Sequence, residues 1–184
     1  MYKRQLFSVL DLGTGSGAIA LSIAHSCPDV QVTAVDFSAN ALQVARENGQ
    51  RLELKNVSFI ESDWFSALTG LHFDLILSNP PYIAATDEHL AQGDVRFEPL
   101  TALVSGSDGL DDIRQLALRA GAHCQPNASL LFEHGYQQAA EVRAILSQAG
   151  WLAVGSAKDL SGIERVSFGS IGDSIKRSKF ASLA

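Results

Sequence analysis

Five short apolar runs recur along the chain, most of them separated by enough residues for a helix, and no other feature restricts the fold as strongly. They are Val9-Leu10-Asp11-Leu12, Val32-Thr33-Ala34-Val35-Asp36, Val57-Ser58-Phe59-Ile60, Asp74-Leu75-Ile76-Leu77 and Ser129-Leu130-Leu131-Phe132. Each is β-branched or continuously apolar rather than alternating, the pattern of a strand covered on both faces. Residues 18–26, 39–52, 111–123 and 137–149 carry apolar side chains at three-to-four spacing and predict helices. Ser38 and Asp108 stand as N-caps for two of them, and Gly150 as a helix stop. Weaker runs at 151–157 and 165–169 bring the strands to seven. The architecture that buries such runs is α/β, a mostly parallel sheet with crossover helices on both faces. With 184 residues, 46% of them hydrophobic, one domain has a sufficient core.

Composition narrows the function classes. No apolar stretch approaches the ~20 residues that span a bilayer, and Met1-Tyr2-Lys3-Arg4-Gln5 leads into no long apolar block, so a cytoplasmic protein without membrane contact is expected. Cys27 and Cys124 form no C-x-x-C pair and read as reduced, mostly buried thiols. His25, His72, His89, His123 and His134 lack the spacing of metal ligands, so no metal site is expected and they read as surface or packing residues. A net charge of -6 argues against gripping nucleic acid through its phosphates and for a protein or small-molecule partner.

Four motifs fall where strands should end. Asp11-Leu12-Gly13-Thr14-Gly15-Ser16-Gly17 joins the first strand to the first helix, where bare backbone lets a ligand approach closely. Asp36, closing the second strand, suits the ribose hydroxyls of an adenosyl or a nicotinamide cofactor. Glu61-Ser62-Asp63-Trp64-Phe65 follows the third strand; Asp63 could accept from an adenine amine while Trp64 packs on the ring. An acidic helix cap with a core-facing Trp64 fits the same residues, and the glycine turn also has a purely structural reading. Asn79-Pro80-Pro81-Tyr82 leaves the fourth strand in a rigid extended turn that neither sheet nor helix can continue. Its asparagine amide, carbonyl oxygens and aromatic ring can hold a planar NH2 group, each N–H meeting an acceptor. The plainer alternative is that Pro80 and Pro81 end the strand and Tyr82 fills a core edge. Residues 83–110 form a long, polar, turn-rich insertion, and 170–184 read as a solvated tail.

The first three motifs together with Asn79-Pro80-Pro81-Tyr82 resemble the class I S-adenosylmethionine-dependent methyltransferases. Phe97-Glu98-Pro99-Leu100-Thr101-Ala102-Leu103, Asp108-Gly109-Leu110, Glu133-His134-Gly135 and Glu164-Arg165-Val166 are similar to the PrmC (HemK) protein-glutamine methyltransferases, which modify peptide chain release factors. The resemblance covers residues 8–169. It implies a Rossmann-like class I fold, S-adenosyl-L-methionine as cofactor and a release factor as protein substrate. Carried onto this chain, it implies cofactor binding by Gly13, Thr14, Gly15, Ser16, Gly17, Asp36, Asp63, Trp64 and Asn79. Asn79, Pro80, Pro81 and Tyr82 would receive the glutamine, with Asn79, Pro80 and Tyr82 catalytic; Glu98 is not expected in the chemistry. That family ordinarily carries an N-terminal helical domain and a helix before the first strand. Both are expected to be absent here, with residues 1–7 atypical of it. Other readings keep part of the pattern: a nucleic-acid amine methyltransferase, a non-catalytic adenosyl-binding module, or a nicotinamide dehydrogenase.

Overall fold

A computed structural model describes residues 6–87, 90 and 99–172. The seven runs become β1 (Ser8–Leu12), β2 (Gln31–Asp36), β3 (Val57–Glu61), β4 (Phe73–Ser78), β5 (Cys124–Glu133), β6 (Leu152–Lys158) and β7 (Glu164–Ser170). They make one sheet in the order β3-β2-β1-β4-β5-β7-β6, parallel except for β7, which runs antiparallel to both neighbours. The helices are α1 (Ala18–Ser26), α2 (Ala39–Arg51), α3 (Asp111–Arg119) and α4 (Ala139–Gln148).

Successive side chains of a strand point to opposite faces, and β1 shows where each leads. Val9 joins a cluster with Ala20 and Ala24 of α1, whereas Leu10 and Leu12 join one with Ile113 and Leu116 of α3 and Val142 and Leu146 of α4. The sheet is therefore covered by helices on both sides, which is why its central strands read as unbroken apolar runs.

Parallel register brings the carboxyl ends of four strands level. Leu12 lies opposite both Val35 and Ser78, and Asp36 lies opposite Glu61. Ser78, buried at the end of β4, donates its hydroxyl to the Leu12 carbonyl at 2.7 Å and ties the exits of β1 and β4 together.

Several expectations need correction. β5 begins at Cys124 rather than Ser129; its register jumps from Phe73↔Cys124 to Leu75↔Ser129, so residues 125–128 bulge out around Pro126 and lack an apolar signature. Cys27 is exposed, because it closes α1 just ahead of Pro28, whereas Cys124 is buried and burial pushes its thiol up to about 12. Asp108 is not the cap of α3: it accepts the Leu110 N–H and pairs with Arg114, while the buried Ser105 hydroxyl accepts the Asp112 N–H at 2.7 Å. Ser38 does cap α2, accepting the Ala41 N–H, and the Gly150 and Trp151 amides close α4 on Ser147 and Leu146. The start of the expected tail is structured: Ser170 ends β7, and buried Ile171 donates to Ala128. The described parts of the 83–110 insertion are tied down as well. Ile83 bridges to Val104, Ala85 donates to Gly106, and Leu100–Ala102 form a 3-10 turn. Among the described residues no helix is long and apolar enough to cross a membrane, and no His, Cys, Asp and Glu group could hold a metal ion.

Removing the hydroxyl that joins β1 to β4 is expected to cost about 1–3 kcal/mol, since it leaves a buried partner short of a bond. Urea unfolding of Ser78→Ala should show one cooperative transition at a lower midpoint.

Candidate active site

The turn after β1 is held from behind. Buried Asp11 accepts the Thr14 hydroxyl at 2.6 Å and the Ala20 N–H at 3.1 Å through Oδ2, while its Oδ1 has no partner among the described residues. The Gly13 and Thr14 amides both donate to the Val35 carbonyl, pulling the turn onto the end of β2. Asp36 completes the arrangement: Oδ2 accepts the Gly15 N–H and Oδ1 the Ser38 N–H, each at 2.8 Å. Each of its oxygens keeps a lone pair for a further donor. Gly15 has φ +57, and a Cβ there would meet nothing within 4 Å, so the turn faces open space. At Gly13 a Cβ would lie 3.3 Å from the Trp64 ring, which fixes how closely the two motifs approach.

Residues 62–66 form a turn and not a helix, so Asp63 is not a helix cap. The Ser62 hydroxyl donates to the Trp64 carbonyl and accepts the Ala67 N–H, holding this turn against the end of β2, where Ser62 N–H meets the Asp36 carbonyl. Trp64 packs on the core and also borders the cleft. The Asp63 carboxylate has no hydrogen-bond partner among the described residues.

A cleft of about 500 Å³ runs along this edge. Gly13, Gly15, Asp36, Asp63 and Trp64 line one part; Asn79 and Pro81 line another. Asn79 is exposed, with no side-chain hydrogen bond among the described residues, and Pro80 is buried beside it. Tyr82 is half-buried and outside the lining; its hydroxyl accepts from Arg165 at 3.2 Å, and the guanidinium sits 5.6 Å from the ring centroid. Of the other loop residues, Thr14 turns inward to Asp11, Gly17 packs against Leu21 and Ala45, and Ser16 is exposed outside the lining. Glu98 lies outside the described residues.

The far wall is made by Pro99, Thr101, Ala102 and Asp112; residues 97–103 carried part of the family resemblance, but sequence reading assigned none of these four to the site. Only the folding-back of the insertion brings these residues over the strand ends, and no local pattern marks that. The described lining carries the carboxylates of Asp36, Asp63 and Asp112 and no Lys or Arg. A larger hollow of about 670 Å³ opens at the opposite edge, but the Asp74 carboxylate there is already taken by Ser8. Open α/β sheets place their ligands at the carboxyl ends of the strands.

Burial pushes the Asp11 carboxyl up to about 6, against the opposing hydrogen bonds from Thr14 and Ala20 and with a further push from Asp36. This folded value lies above the unfolded 3.8, so the folded state holds the proton more tightly. The resulting stability is complete below pH 3.8 and disappears as pH rises to about 6, a change of about 3 kcal/mol. Asp11→Asn should abolish this slope: in urea melts, the wild type is expected to lose stability relative to the variant between about pH 4 and pH 6.

The methyltransferase small domain family matches residues 1–96. A release factor glutamine methyltransferase of Xylella fastidiosa (strain Temecula1) is 55% identical over 161 residues, covering 88% of this chain and 58% of that protein. The Escherichia coli K12 protein of the same name is 47% identical over 161 residues, with the same 88% and 58% coverage. The chain thus spans less than two thirds of the length of these relatives. Among solved structures, a methyltransferase from Pyrococcus furiosus superposes with TM-score 0.69 at 17% identity, covering 92% of this chain and 77% of that one. A T. thermophilus 16S rRNA methyltransferase in complex with AdoMet and guanosine gives 0.63 at 22%, covering 89% and 37%. Both likenesses concern the fold, which is the Rossmann-like class I methyltransferase fold. A family match over more than half the chain, on this sheet order and around this cleft, means that the protein belongs to the methyltransferase small domain family.

Proposed function

We propose that the protein transfers a methyl group from S-adenosyl-L-methionine to the side-chain amide nitrogen (N5) of the glutamine in the Gly-Gly-Gln motif of peptide chain release factors. The observation that carries this reading is that Asn79 and Pro81 border the same cleft as Gly15, Asp36 and Trp64. One pocket can therefore hold donor and acceptor together. The substrate follows from relatives named release factor glutamine methyltransferase, at 47–55% identity over 88% of the chain.

The residues fit an adenosyl sulfonium. Gly13 and Gly15 offer bare backbone, Asp36 has spare lone pairs for ribose hydroxyls, Asp63 can accept from the adenine amine and Trp64 can cover the ring. Thr14, Ser16 and Gly17 shape the loop behind them. Three carboxylates and no Lys or Arg among the described lining residues suit a ligand with net positive charge better than the pyrophosphate of a nicotinamide cofactor. When bound, S-adenosylmethionine supplies an electrophilic methyl carbon on sulfur.

An amide nitrogen is a poor nucleophile because its lone pair is delocalised into the carbonyl. Asn79 Oδ1 and the Pro80 carbonyl would each accept one N–H of the target, fixing its plane and aiming the lone pair at the methyl carbon. The same fixed dipoles favour the partial positive charge that develops on nitrogen as N–C forms and S–C breaks. Tyr82 would pack on the flat amide with the ring face that Arg165 does not cover. The proton becomes acidic only as the new bond forms, so it can leave to water and no general base is needed. Release factors are protein substrates, so the proposed place of action is the cytoplasm, with neither membrane nor direct nucleic-acid contact.

A flipped adenine or guanine presents the same planar NH2 group, which keeps a nucleic-acid amine as the competing acceptor. The net charge of -6 weighs against it. Labelled methyl transfer should appear on a release factor and not on DNA or RNA; the reverse would replace the substrate assignment. Asn79→Ala is expected to keep the fold, by circular dichroism, and to lose at least ~100-fold in turnover. Near-normal turnover would count against the acceptor assignment.

A further inference from the structure

Gln138 occupies the N-cap position of α4 but makes no capping bond to that helix. Ser, Thr, Asp and Asn are the residues that serve there, so both the residue type and its side-chain direction depart from local preference. The carboxamide is used elsewhere. Its Oε1 accepts the Gly135 N–H at 2.8 Å, and its Nε2 donates to the Tyr82 carbonyl at 3.0 Å and the Asp108 carbonyl at 3.3 Å. Two carbonyls can only accept and one N–H can only donate, so these partners settle which end of the amide is oxygen.

The three segments joined are the exit of β5, the last residue of the Asn79–Tyr82 turn and the end of the insertion that forms the far wall of the cleft. Each is independently constrained. Gly135 sits beside fully buried His134, whose Nδ1 donates to the Gly135 carbonyl at 2.9 Å, leaving Nε2 to accept from Ser167 at 2.9 Å. Ser167 bonds Ser156, which accepts from Arg143, so the anchor continues through β7 and β6 to α4. At Gly109 the insertion passes so close to the turn that a Cβ would lie 2.3 Å from the Tyr82 oxygen and 2.9 Å from the Gln138 amide nitrogen. Tyr82 is held at its other end by the Arg165 guanidinium, which also pairs with Glu133.

We infer that Gln138 is a positioning residue for methyl transfer: its side chain brackets the Tyr82 carbonyl and sets the pose of the Asn79–Tyr82 turn relative to both cleft walls. The inference rests on that turn being the acceptor site. Gln138 touches neither donor nor acceptor; it acts through Tyr82.

Two variants separate positioning from folding. Gln138→Ser installs a favoured N-cap and removes the bracket, and Gln138→Ala removes both. Three readouts apply: turnover on a release factor, the affinity for S-adenosylhomocysteine by calorimetry, and amide exchange at Asn79, Tyr82 and Ile83. Both variants should lose roughly ten- to a hundredfold in kcat, as a displaced reacting group does, with unchanged S-adenosylhomocysteine affinity. Exchange at the three amides should rise roughly tenfold while that of 11–17 stays constant. Gln138→Ser should melt no lower than Gln138→Ala despite its lost turnover. Unaltered exchange at the turn overturns the inference, whatever the turnover. So does a loss that falls equally on cofactor affinity and kcat in step with a falling melting temperature. Normal turnover of Asn79→Ala in the same assay would instead remove the acceptor reading on which the inference stands.

Discussion

Parallel pairing of β3, β2, β1 and β4 is the constraint from which the site follows. Side-by-side strands running the same way must all release their chain at one edge, and the register levels those exits at Leu12, Asp36, Glu61 and Ser78. A glycine turn, two carboxylates, an indole and a proline corner, far apart in sequence, thereby meet across one cleft. The hydrogen bonds that finish the work are short-range: Gly15 to Asp36, Ser62 to Asp36, and Ser78 to Leu12. Each spans two neighbouring strand exits, so the position of one motif fixes the next.

The electrostatic character of the edge follows from what is gathered there. Asp36, Asp63 and Asp112 border the cleft, and Asp11 lies buried behind it with one oxygen unpartnered among the described residues. The proposed positively charged donor would be favoured at such an edge more than its neutral product. At the proposed acceptor end a neutral amide would call for the opposite treatment, fixed oxygen dipoles and not charge. On the proposed reading, Asn79 and the prolines would supply those dipoles on a corner that has few conformations to lose.

Strands β1 to β4 and helices α1 and α2 were legible because doubly covered strands and amphipathic helices leave period signals that tertiary context does not override. The cleft residues at strand ends were legible for a related reason: Gly13, Asp36 and Asn79 each follow an apolar run, so their level in the sheet could be inferred. What was not legible depended on contacts remote in sequence. Pro126 conceals the first half of β5, where the register to β4 shifts. Asp108 looks like a cap, yet Arg114 and the Leu110 amide take its carboxylate and Ser105 assumes the capping. Cys27 follows its turn rather than the usual burial of cysteine. Asp112, Thr101 and Gln138 acquire their places only when the insertion folds back on itself, Leu103 and Ser105 bonding Ile83, and Gln138 bonds Tyr82 and Asp108; composition carries no trace of that.

The most direct test is a crystal structure of the protein with S-adenosylhomocysteine. The account requires the nucleoside to span Gly15, Asp36 and Trp64, with its sulfur directed at Asn79. A nucleoside bound elsewhere, or a sulfur pointing away from the Asn79–Tyr82 turn, would contradict it.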